Sequence, residues 1–150
     1  MKLDGKSDFI SILLFLLLCA AAGCVSGCAS MKNAGDTESA LRGRVEKFWQ
    51  HKIKGEFVEC YSFEDPDYRE KVGMTTYVKG LSSGGIIWFE VIVKDISIEG
   101  KSARAFMNMR YLPFGMFGLP KEGIKRDFTE CWRLVKGAWY HMTECPEKKK

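Results

Sequence analysis

Three carboxylates within four positions, Glu64-Asp65-Pro66-Asp67, form the densest group of chemistry-bearing side chains in this chain. Such a group raises the question of a metal, but its order reads better as a helix start. Asp65 caps, Pro66 takes the first helical position, and Asp67 complements the helix dipole. Glu90 is the second candidate. It lies in Ile86 to Ile98, a run whose period of two predicts a strand. Alternation groups Ile92, Ile96, Ile98, Ala103, Ala105, Met107 and Met109 on one sheet face, and the same parity adds Trp88, Glu90 and Tyr111. A carboxylate on that face would have its pKa raised by desolvation, a signal of function. However, Ile87, Phe89, Val91 and Val93 make the other face equally apolar, and one β-bulge would swap the faces and send Glu90 to solvent. The histidines offer less. His51 adjoins the apolar stripe of a helix and reads as a surface residue, and His141, beside Trp139 and Tyr140, reads as a sheet-face residue. No Ser-His-Asp order, Cys/His metal spacing or glycine-rich phosphate loop is visible, and Gly84-Gly85 reads as a plain loop. The sequence therefore predicts no catalytic residue, no metal site and no cofactor, and it does not read as an enzyme.

The elements that must position these residues follow from periodicity. Asp36 or Thr37 can cap a helix running to about Lys54, with Leu41, Val45, Phe48, Trp49 and Ile53 in one stripe and Gly55 as its stop. A short helix fits Glu56 to Ser62, with Phe57, Val58 and Tyr61 inward. A third is expected from Pro66 to Lys79 or Leu81, closed by Gly80 and the run Ser82-Ser83-Gly84-Gly85. The long strand from Ile86 turns at Glu99-Gly100-Lys101 and returns from Ser102 to Leu112. Two further strands, Ile124 to Val135 and Ala138 to Thr143, flank Lys136-Gly137. Helices first and an antiparallel meander after them predict an α+β fold, with the helices packed on one sheet face. Between the second and third strands, Phe114, Met116, Phe117 and Leu119 sit on a loop punctuated by Gly and Pro. Large apolar side chains on a loop are seldom left in water. A flap completing the core, a homodimer or envelope-protein surface, and a lipid contact all remain open for it.

The N-terminal region carries no charge from Phe9 to Ala29, and its densest apolar part is Ile10 to Leu18. A secretory signal needs an apolar core of about 7–15 residues followed by small residues at the cut. Ala20-Ala21-Ala22-Gly23 and Ser26-Gly27 supply the small residues. Val25-Ser26-Gly27-Cys28 resembles the lipobox of bacterial lipoprotein signals, and Ala21-Ala22-Gly23-Cys24 resembles it less closely. The resemblance implies diacylglycerol on the thiol of Cys28, with Cys24 the alternative. It further implies cleavage before that residue and anchoring by two or three acyl chains, where one chain would hold only marginally. Ala29 after Cys28 implies sorting to an outer membrane, facing the periplasm, in a host that has one. On this reading residues 1–27 are the signal peptide, 28–36 a lipidated tether, 37–145 the folded domain and 146–150 a basic tail.

The order of elements also resembles the nuclear transport factor 2-like superfamily, the cystatin-like fold. Phe48-Trp49 leads through Gly55-Glu56-Phe57 to Tyr61-Ser62-Phe63. A central hairpin spans Val93 to Ala105, and the terminal hairpin Glu130 to His141 carries Trp132 and Trp139. The resemblance covers nearly the whole mature chain and implies a curved sheet wrapped around the helices as a cone, often holding an apolar pocket. Trp49, Tyr61, Trp88, Glu90, Met107, Met109, Tyr111 and Trp132 would line it, and a small apolar ligand would be its guest. The enzymes of the superfamily place an acid or base inside the cone, and Glu90 would be the residue for it in an isomerase or dehydratase. That fold hosts many functions, so it does not name one here. The alternatives to a binding domain are that enzyme and a purely structural assembly domain.

The chain carries 23 Lys and Arg against 19 Asp and Glu, a formal net charge of +4. The signal's two positive and two negative side chains cancel, so the excess belongs to the mature part and much of it is Lys148-Lys149-Lys150. No basic stripe exists and an exported chain rarely meets nucleic acid, so that partner is rejected. With the signal removed and Cys28 lipidated, Cys60, Cys131 and Cys145 remain, an odd number in an oxidising compartment. One disulfide and one buried thiol is the simplest account. Cys131 and Cys145 flank the last hairpin, although their offset about Lys136-Gly137 is imperfect.

Overall fold

Helix α1 (Glu38–Lys54) begins where the extended Thr37 accepts a hydrogen bond from the Ala40 amide through its hydroxyl, at 3.1 Å. It ends where Gly55 turns left-handed, at φ 74°, a conformation glycine adopts without a Cβ penalty. The computed structural model describes residues 37–115, 118 and 120–146. The signal, the tether, both lipidation candidates Cys24 and Cys28, the loop residues Met116, Phe117 and Leu119, and 147–150 lie outside the described residues.

Helix α1 buries Leu41, Val45, Phe48 and Trp49, the i, i+4, i+7, i+8 stripe that its sequence carries, while Ile53 is only half-buried. Helix α2 (Phe57–Tyr61) points Cys60 into the core, and Val58, expected inward, is 51% exposed. In place of one long third helix there are two, α3 (Pro66–Lys71) and α4 (Met74–Ser82). The break falls at Val72, which turns extended, followed by Gly73 as N-cap. The Tyr61 hydroxyl lies 3.0 Å from the Arg69 carbonyl and 2.8 Å from that of Val72. Its one proton serves carbonyls that the interrupted helix leaves over, at the shorter of the two distances to Val72. Asp65 caps α3 by accepting from the Asp67 amide at 2.9 Å, and Pro66 opens the helix.

Strands β1 (Ile86–Glu99), β2 (Ser102–Pro113), β3 (Ile124–Val135) and β4 (Ala138–Met142) pair antiparallel in the order β1-β2-β3-β4. The architecture is α+β, helices first and a meander afterwards, with α1 against the sheet. On β2 the small residues Ala103 and Ala105 stand opposite Trp132 and Glu130 of β3. Those two short side chains leave the volume that the Trp132 indole fills, and Trp132 is fully buried. The indole takes a large apolar surface out of water, although its N–H is buried without a hydrogen-bond partner among the described residues. Arg42 of α1 donates to the Val93 carbonyl at 2.9 Å, and Arg44 donates to that of Trp139, so the helix is tied to both edge strands.

The phase of β1 departs from simple alternation twice. Its pairing with β2 shifts between Trp88 and Glu90 and again between Val93 and Asp95. The first bulge, at Phe89, turns Val91 and Val93 inward opposite Met109 and Met107, and leaves Ile92 43% exposed. The second, at Lys94, restores the original phase, so Ile96 and Ile98 again face the core. Unbroken parity groups Ile92 and Glu90 with the core. The structure corrects that reading for both residues, because each bulge moves every later side chain to the other face.

The chain closes with a disulfide between Cys131 and Cys145, Cα atoms 5.2 Å apart, while Cys60 remains a buried free thiol. Cys131 pairs with Met142 across the hairpin, so the chain must bend after β4 to bring Cys145 back to it.

Candidate functional site

Two segments far apart in sequence meet at the centre of the domain. Residues 63–65, extended between α2 and α3, lie parallel to β4: the His141 amide donates to the Phe63 carbonyl at 2.8 Å, and the Asp65 amide donates to that of His141 at 2.9 Å. This stitch sets Glu64 beside His141. Glu130 arrives from β3, two residues before Trp132 and therefore on the same face.

The result is a carboxylate–imidazole–carboxylate row. Nδ1 of His141 is 2.8 Å from Oε2 of Glu64, and Nε2 is 3.5 Å from Oε1 of Glu130. The other oxygens are engaged too. The Tyr77 hydroxyl donates to Oε1 of Glu64 at 2.8 Å, and the Trp49 indole donates to Oε2 of Glu130 at 3.0 Å. Glu64 and Glu130 are only 2% and 5% exposed. Taking such groups out of water costs several kcal/mol each unless hydrogen bonds and an opposite charge offset it, and here both are present. Burial alone would push the His141 pKa down. Hydrogen bonds to Glu130 and Glu64, and their charges, outweigh it and raise the pKa from 6.5 to about 9. The imidazolium is stacked on the Phe48 ring at 4.9 Å and meets Trp132 edge-on at 5.6 Å. Burial and Glu64 together push the Tyr77 phenol upward, so it stays a donor.

Two clefts flank this row. The smaller, of about 180 Å³, includes Trp49, Trp88, Phe128, Glu130 and His141 in its lining; the larger, of about 320 Å³, includes Glu64, Tyr68, Tyr77, Leu81 and His141. Lys52 and Thr143 line both. The Lys52 ammonium rests on aromatic faces, 4.3 Å from the Trp49 ring centre and 5.5 Å from that of Trp88. Among the described residues no group of three His, Cys, Asp or Glu side chains is arranged to hold a metal ion.

Of the side chains that the sequence assigns to a pocket, the structure brings Trp49 and Trp88 together, ring centres 5.0 Å apart, in the smaller cleft. Met107, Met109 and Trp132 are packed into the core. Tyr61 is occupied at the α3–α4 break, and Tyr111 lies against Trp88 at 5.5 Å. Glu90 is not in the pocket. The bulge at Phe89 turns it to the outer face, where it lies 3.6 Å from Arg110 and is 45% exposed. His51 pairs with Glu56 at 2.6 Å on the surface of α1. Of the loop set only Phe114 is described, and it is 79% exposed. Glu130 and Lys52 are site residues to which the sequence reading gives no role, while it assigns Glu64 to a helix start and His141 to a sheet face. A signal existed for two of them: Glu130 shares the parity of Trp132, and His141 shares that of Trp139.

Fold and site together define an α+β domain with helices on one face of an antiparallel meander and a buried charged row at their junction. Neither a protein-family model nor a curated protein sequence matches the chain. Solved structures similar to it include a SEC-C motif-containing protein from Rhodopseudomonas palustris, at 18% identity and TM-score 0.48, covering 75% of this chain and 80% of that one. A nuclear transport factor 2-like protein from Cytophaga hutchinsonii is similar at 16% identity and TM-score 0.49, covering 69% and 90%. A further one, with a cystatin-like fold, from Novosphingobium aromaticivorans, is similar at 10% identity and TM-score 0.49, covering 93% and 87%.

Proposed function

We propose that this chain is an exported lipoprotein, held to the cell envelope by acyl chains on Cys28, whose folded domain binds a small molecule without transforming it. The observation that carries the binding reading is the pair of clefts that share Lys52, His141 and Thr143 and are walled by tryptophan and tyrosine. Concave, mainly apolar sites with a few convergent polar groups are where small ligands bind. Against chemistry speaks the state of the imidazole that the two clefts share. Both His141 nitrogens face carboxylates, and the imidazole holds its proton to about pH 9, whereas a general base works best with a pKa near the operating pH. Glu90, the carboxylate on which an isomerase or dehydratase reading would depend, sits outside the clefts beside Arg110.

The test is native mass spectrometry of the full chain, expressed in a bacterial host and released from detergent micelles. An adduct of constant mass, lost on denaturation, is the expected result; a bare chain from several preparations would overturn the binding reading. Anchoring is tested separately. Cys28→Ala is expected to leave the chain unprocessed and without acyl mass, and normal processing in that variant would shift the assignment to Cys24.

A further inference from the structure

Resting on the cleft-binding reading, we propose that the ligand is a small aromatic or apolar acid, its carboxylate held by Lys52 at the rim common to the two clefts and its body laid against tryptophan. Lys52 lies in the last turn of α1 and is half-buried. Its ammonium is fixed over the rings of Trp49, Phe48 and Trp88 at 4.3, 5.2 and 5.5 Å. Ring faces attract the charge but offer no lone pairs. Among the described residues no hydrogen-bond acceptor or ion-pair partner meets this ammonium, so its N–H donors are available at a defined place.

The remaining charges decide the sign of the guest. Glu64, Glu130 and His141 are committed to one another, and the outer carboxylate oxygens are taken by Tyr77 and Trp49. A cationic guest would meet the Lys52 charge first, and the Glu64 and Glu130 carboxylates it could reach already face the His141 imidazolium. A wholly apolar guest would cover donors without giving them an acceptor, which is costly. A carboxylate answers the ammonium and can also accept from the Thr143 hydroxyl, on the same shared rim. The aromatic or apolar body follows from the walls. Trp49 and Trp88 stand at 70° to each other with centres 5.0 Å apart in the smaller cleft, and Tyr68 and Leu81 face the larger one.

The experiment is a calorimetric titration of the full chain in detergent with 2-naphthoate and, as its neutral counterpart, 2-naphthamide. The chains compared are wild type, Lys52→Gln and Lys52→Arg in identical micelles. The wild type is expected to favour the acid by about tenfold, of the size of one charge-assisted contact. Lys52→Gln should abolish that preference, and Lys52→Arg should retain it. Equal binding of both probes by the wild type, or an undiminished preference in Lys52→Gln, would overturn the acid assignment and leave the cleft reading standing. Binding of neither probe would overturn both.

Discussion

His141 is the residue on which most of the buried charge depends. Its replacement by alanine would leave Glu64 and Glu130 facing each other with their cation removed. The expected loss is about 3–5 kcal/mol, the usual cost of breaking a buried charged set from one side, read as a lower urea midpoint. The same residue sets a pH dependence. Its pKa is raised from 6.5 to about 9 in the folded chain, so its contribution to stability is complete below pH 6.5 and is lost as pH climbs through 9. The loss is on the order of 3 kcal/mol. Urea midpoints measured from pH 6 to 9.5 are expected to fall across that window, and a flat profile would contradict the assignment. None of this was plain in the sequence. The carboxylates that meet His141 are not its chain neighbours: Glu64 is 77 positions away, and Glu130 is brought to it by the pairing of β3 with β4. The caps, by contrast, were legible. Thr37, Gly55 and the Asp65-Pro66 pair act on their immediate neighbours, and local chemistry is what a linear string records.

At the scale of elements, strand and hairpin positions could be read because turns announce themselves. Glu99-Gly100-Lys101 and Lys136-Gly137 fall where the chain reverses, and Gly100, Lys136 and Gly137 all have positive φ. The phase inside β1 could not be read. Both of its faces are apolar, so alternation fits either side, and only pairing with β2 reveals the extra residues at Phe89 and Lys94. The α3–α4 break was hidden for a similar reason. An isolated glycine such as Gly73 is tolerated within a helical pattern, and here the Tyr61 hydroxyl favours interruption by placing a donor at the freed carbonyls. Gly123 is a place where an element tolerates no side chain. At φ 80°, a Cβ there would lie 2.7 Å from the Tyr111 carbonyl oxygen and 2.8 Å from the Phe89 ring. Gly123→Ala is expected to destabilise the entry to β3 by about 1–3 kcal/mol. An unchanged melting temperature would contradict so close an approach.

Taken as a whole, the molecule is closed from its last strand. The Cys131–Cys145 bond encloses a short loop of sequence separation 14, and removing it with the double change to serine is expected to cost about 2–4 kcal/mol. The fold should survive that loss, because the core of Leu41, Phe48, Trp132 and Trp139 does not depend on it; an unfolded double variant by circular dichroism would disprove that independence. The parallel stitch between residues 63–65 and His141 has a consequence in time. A chain emerging N-terminus first presents Glu64 well before β4 exists, so its carboxylate must wait in water. The hairpins β1–β2 and β2–β3 can form as they appear, but the charged row can be assembled only when the final hairpin arrives. A chain shortened between Glu130 and His141 therefore lacks the cation for its own interior, and quality control would meet it as an open-centred domain with two glutamates that cannot be sealed.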